Sequence, residues 1–124
     1  MKYAYVILLS LIWAAPSFAQ HSHGSEKGPN GGPLEDVAGV HLEMVVSGRN
    51  IKFNVFDDTV KPMSSKGITA TALLASGSER ETLALVEDGN ALKGEAKKDI
   101  APGTTVSVTL KTAAGKSGQA KFKK

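Results

Sequence analysis

The residues of this chain best suited to hold a metal ion are His21 and His23, separated by Ser22 in a polar stretch near the start of the sequence. Imidazole nitrogen suits copper, zinc, nickel and cobalt alike, so the pair admits any of these transition metals. A chain cut nearby adds further donors. Cleavage after Ala19 leaves Gln20 as the N-terminus, and a free amine, a backbone amide and the His21 imidazole then converge on one ion. Cleavage one residue later makes His23 the third residue, giving an amine, two amides and an imidazole in the square-planar set that Cu(II) or Ni(II) prefers. This chemistry leans to Cu(II). Cyclisation of an N-terminal Gln20 removes the amine and weakens the site, while Glu26, Glu35 and Asp36 offer oxygen ligands.

A second group comprises His41, Glu43 and Met44. Side chains alternate along a strand, so His41 and Glu43 project together, His41 as a half-exposed strand residue, while Met44 goes to the opposite face and packs in the core, and the three cannot converge on one ion without a bulge. His41 is therefore a weaker ligand candidate. So is Met63, which follows Pro62 in a loop and carries a thioether soft enough for Cu(I).

Catalytic machinery is not expected, and the chain is read as a non-enzyme. It has no cysteine, no serine in a nucleophile-elbow context and no histidine within a helical metal motif. Gly115-Lys116-Ser117 has the ending of a phosphate-binding loop, but Leu110 stands where that loop requires its first glycine. Asp57-Asp58 are adjacent on a strand end, where their carboxyls point apart and suit a solvated turn better than acid/base chemistry.

The start of the chain reads as an address. Lys2 precedes a largely apolar run from Ala4 to Ala15, followed by Pro16 and the small-x-small triplet Ser17-Phe18-Ala19, which together form a cleavable signal peptide over residues 1–19. The run is shorter than the roughly 20 apolar residues that span a bilayer. Without cysteine no lipid attaches at a thiol and no disulfide forms, so the expectation is a soluble periplasmic protein, not membrane-anchored after cleavage. The formal charge of +3 is weak for nucleic-acid binding, and Lys111, Lys116, Lys121, Lys123 and Lys124 have only Phe122 among them for stacking. No nucleic-acid partner is expected.

Residues 20–36 lack apolar periodicity and read as a flexible arm rich in Gly, His and Pro, leaving 37–124 as one domain. Within it the period is two. Leu42, Met44 and Val46 share a face, as do Ile51, Phe53 and Val55, with Ser47-Gly48-Arg49-Asn50 turning between them. Ala70, Ala72 and Leu74 alternate with threonines, Leu83 and Leu85 mark a fourth strand, and Glu87-Asp88-Gly89-Asn90 turns the chain into a short fifth at Leu92. Val106, Val108 and Leu110 form the next, and Ala120 and Phe122 face inward on a last strand whose lysines protect a sheet edge. Leu73, Leu74, Leu83, Leu85, Phe53, Phe56 and Phe122 supply the larger core side chains. About seven short strands without helical periodicity indicate an all-β fold, an antiparallel immunoglobulin-like β-sandwich.

Taken together, a His-containing arm, Gly28-Pro29-Asn30-Gly31-Gly32 with Leu34 following, Ile51-x-Phe53-x-Val55 running into an Asp-rich loop, and Gly115-Lys116-Ser117-x-x-Ala120-x-Phe122 form a pattern. It resembles the N-terminal periplasmic domain of heavy-metal efflux adaptors, the membrane-fusion subunits of cobalt-zinc-cadmium and copper-silver export systems. Full adaptors also carry a coiled-coil hairpin, a lipoyl-like domain and a barrel. The resemblance therefore implies a free-standing relative of one domain, a periplasmic accessory that binds or hands over a transition metal to a heavy-metal efflux complex, with His21 and His23 as ligands. A metal-free interaction module docking on an envelope complex is the alternative expectation.

Overall fold

The computed structural model describes residues 26–124. Every regular element among them is a strand, and all strand pairings are antiparallel. In chain order these are β1 (Leu34–Val37), β2 (Val40–Ser47), β3 (Asn50–Phe56), β4 (Thr69–Ser76), β5 (Glu79–Ala84), β6 (Val86–Asp88), β7 (Ala91–Glu95), β8 (Thr105–Lys111) and β9 (Ser117–Lys123). They form a five-stranded sheet in the order β1-β2-β3-β7-β6 and a four-stranded sheet in the order β5-β4-β8-β9.

Alternation of side chains builds the core between the sheets. Leu42 and Met44 of β2, Ile51, Phe53 and Val55 of β3 and Leu92 of β7 come from one sheet; Ala72, Leu74, Val106, Val108, Ala120 and Phe122 come from the other. All belong to one buried cluster. The rings of Phe53 and Phe122 meet across it, centroids 5.3 Å apart and tilted by 55°, an edge-biased aromatic packing that adds to the area they bury.

Tight turns fix the registers. Ser47 pairs with Asn50 and Asp88 with Ala91, so Gly48-Arg49 and Gly89-Asn90 form two-residue hairpin loops, with both glycines at positive φ. Ala38 and Gly39, both at positive φ, turn β1 into β2. Between β5 and β6 there is no loop at all. Leu85 still donates its N–H to Ala70 of β4, and Val86 already pairs with Lys93 of β7, so the chain passes from one sheet to the other across a single residue. Gly94 makes room for that crossing: a Cβ there would lie 3.0 Å from Leu85 Cδ2 and 3.3 Å from Leu83 Cδ1.

The expected all-antiparallel architecture holds, with differences in detail. Nine strands are present among the described residues instead of about seven, the additions being β1 and β6. Both are short strands at a sheet edge, too brief to show alternation. The expected flexible arm does not extend over residues 27–36: Lys27 bridges Pro33, and Leu34–Val37 is a strand, so the domain begins well before residue 37. Leu73 is not a core residue. It lies on the outward face of β4, 40% exposed, because Ala72 and Leu74 take the inward positions. Lysine-bearing β9 does form a sheet edge, as expected.

Candidate functional site

The outer face of β1, β2 and β3 carries the densest group of polar side chains with defined partners. At its centre is Glu43, paired in register with Leu34 on one side and Asn54 on the other, and completely buried. The segment Gly28-Pro29-Asn30-Gly31-Gly32 folds over it. Gly28 N–H donates to Gly32 O at 2.7 Å and Gly31 N–H to Gly28 O at 3.0 Å, closing a tight turn with Gly31 at φ +82°. That turn aims donors at the carboxylate. Asn30 N–H (2.8 Å) and Gly32 N–H (3.0 Å) donate to Glu43 Oε2, while the side-chain amides of Asn30 (2.7 Å) and Asn54 (3.3 Å) donate to Oε1.

Glycine is needed at two of these positions for close approach. A Cβ on Gly28 would fall 2.4 Å from Glu43 Cδ, and one on Gly32 would fall 2.2 Å from the carbonyl oxygen of Met44. Burial pushes the Glu43 carboxyl up, but the hydrogen bonds from Asn30, Gly32 and Asn54 outweigh it and hold the group below the ordinary glutamate value. Glu43 is an ionised carboxylate with its oxygens engaged. It lies on the face it shares with His41, opposite Met44, and fastens the loop there because a cover from outside the strand has been laid over that face.

One ladder step along, Asp36 of β1 stands opposite His41 of β2, and their side chains share the face with Glu43. His41 Nδ1 is buried and in close contact with Asp36 Oδ1, without the alignment of a hydrogen bond. Across the other ladder His41 faces Phe56, itself buried and bridged to Pro62 in the loop after β3. Met63 lies elsewhere, partly buried against the core with its N–H donated to Val55 O. Met44 packs in the core as expected. The structure thus brings Asp36 together with His41 and leaves Met63 apart. Gln20, His21 and His23 lie outside the described residues.

The chain reaches this face at Glu26, whose carbonyl accepts the N–H of Leu34. Among the described residues no three His, Cys, Asp or Glu side chains cluster as a metal cage. A shallow cleft of about 680 Å³ opens on the opposite side, between β5 and the segment 96–101. Within it Lys98 pairs with Glu79, and Glu81 accepts the N–H of Lys97 at 3.0 Å. Asp57 Oδ1 accepts from Thr59 N–H (2.9 Å), Thr59 Oγ1 (2.8 Å) and Lys61 N–H (3.0 Å), so it organises a turn.

The sequence marks Glu43 as a candidate beside His41 but does not show its partners, which lie 11 to 13 residues before and 11 after it. The available signal was the glycine-flanked asparagine of residues 28–32, a segment too rich in close-approach residues for a free arm. Comparison of the chain with family models, characterised proteins and solved structures finds no match.

Proposed function

We propose that this is a soluble periplasmic accessory protein of heavy-metal homeostasis or efflux, which binds a transition-metal ion or hands it on. The two facing sheets are read as an immunoglobulin-like β-sandwich, exported by the signal peptide of residues 1–19. The supporting observation is the Asp36–His41 pair, which brings an imidazole and a carboxylate together on the strand pair that Glu26 joins. His23 precedes Glu26 by three residues, which limits its Cα to roughly 11 Å from that of Glu26. Glu26 bonds to Leu34, and Asp36 lies about 7 Å further along the same strand. In the sequence, His21 and His23 thus come five and three residues before a segment bonded to the strand that carries Asp36. His21 and His23 are the primary ligands in this reading, with the Gln20 amine or His41 completing the set and Cu(II) as the favoured ion.

The test is a Cu(II) titration of the correctly processed protein, its N-terminus fixed by mass spectrometry. A visible absorption band is expected, abolished by His21→Ala with His23→Ala and weakened by His41→Ala. Absence of the band in the parent protein, or its persistence in the double variant, overturns the arm as the site. A second reading, a metal-free module docking on an envelope complex, draws on Val86, which is 66% exposed on edge strand β6. Metal-free protein that copurifies with an envelope complex through a surface containing Val86 would favour it.

A further inference from the structure

Asn30 is followed by Gly31, the pairing in which the next amide nitrogen meets least steric resistance in reaching the asparagine side chain. Attack of the Gly31 nitrogen on Asn30 Cγ forms a cyclic imide. The Cγ–Nδ2 bond breaks, and ammonia leaves with the proton released from Gly31. Water then opens the ring at either carbonyl, leaving aspartate or isoaspartate at position 30.

In the closed turn each participant is held away from this reaction. Asn30 Nδ2 donates to Glu43 Oε1 at 2.7 Å, so the side chain is directed at the buried carboxylate. Gly31 N–H is donated to Gly28 O at 3.0 Å, and Asn30 N–H is held by Glu43 Oε2 at 2.8 Å. Cyclisation requires breaking the first two bonds. Asn30 is itself exposed, so water for the second step is present.

We propose that Asn30-Gly31 is a deamidation site that the Glu43 clasp holds shut, and that the reaction, once it has occurred, prevents the clasp from closing again. The second half follows from the donor set. Among the described residues, Glu43 is bound by backbone and side-chain amides, all uncharged. An aspartate at position 30 removes one donor and sets a second carboxylate against the first, with no cation of the described residues bound to Glu43. Isoaspartate further lengthens the backbone of a turn in which Gly28 and Gly32 leave no spare space.

The test holds the mature protein at neutral pH, folded and in guanidinium chloride, and follows residue 30 by peptide mass mapping that separates aspartate from isoaspartate. Reaction in the folded protein is expected to be at least about tenfold slower, since it must wait for a local opening. Equal rates in the two states, or no reaction in the unfolded chain, overturns the proposal. Asn30→Asp should melt below the parent and below Asn30→Ala at neutral pH, with the gap to Asn30→Ala narrowing as acid protonates one carboxylate. Should Asn30→Ala fall as far as Asn30→Asp at every pH, repulsion is not the reason and the second half fails. The rate comparison needs no variant to fold.

Discussion

On the outer face of β4 and β8, Thr71, Leu73 and Thr109 stand in open solvent, whereas on the outer face of β2 and β3 Glu43 is buried. Both faces point away from the same core, and both are built by the same alternation. The difference is that the segment from Lys27 to Pro33 returns over one of them and nothing in the described chain returns over the other. A polar residue on a strand is therefore a surface residue only while its face stays uncovered. Once covered, it must be supplied with donors, and Asn30, Gly32 and Asn54 supply them.

The sharpest way to break this contrast is Glu43→Ala. It leaves the turn donors without their acceptor beneath a loop that no longer has anything to fasten to, and should lower stability by about 2–4 kcal/mol in chemical denaturation. A loss of only a few tenths would mean that the covered face contributes no more than the open one. The second test is acid. Because the folded Glu43 carboxyl lies below its ordinary value, its contribution is fully present above the unfolded value, about 4.3, and is lost as pH falls through the folded value. The parent should lose more stability than Glu43→Gln over that acid range, the difference being read from paired denaturation curves. Curves that stay parallel would show the carboxylate is not responsible. The smallest effect belongs to the open face: Leu73→Thr should change stability by within about 0.5 kcal/mol, and a loss several times larger would put Leu73 in a core after all.

The same contrast explains what was legible in the sequence. Strands β2, β3 and β8 were recognisable because each has an apolar face against the core and a polar one elsewhere, over seven or eight residues. Strand β1 has only Leu34, Glu35, Asp36 and Val37, which show no alternation, and its ladder with β2 is what makes it a strand. Leu73 and Leu74 are adjacent and equally apolar, so composition places both inside while the pleat admits one. The side chain of His41 was expected to be half-exposed, and it is 19% exposed; its pairing with Asp36 depends on the Ala38-Gly39 turn setting the β1–β2 register. Glu43 could not be placed from its own strand, since its environment is made by a turn whose glycines and asparagine are distant along the chain.

The crossing at Leu85 has a mechanical consequence. Where most connections between sheets carry several residues of loop, this one joins β5 to β6 through a single residue, which spans at most about 3.6 Å. There is no slack there for one sheet to slide on the other. The two layers are stitched at that corner like the fold of a continuous ribbon, so a load applied to the edge at Val86 passes along the backbone into β5 without first straightening a loop.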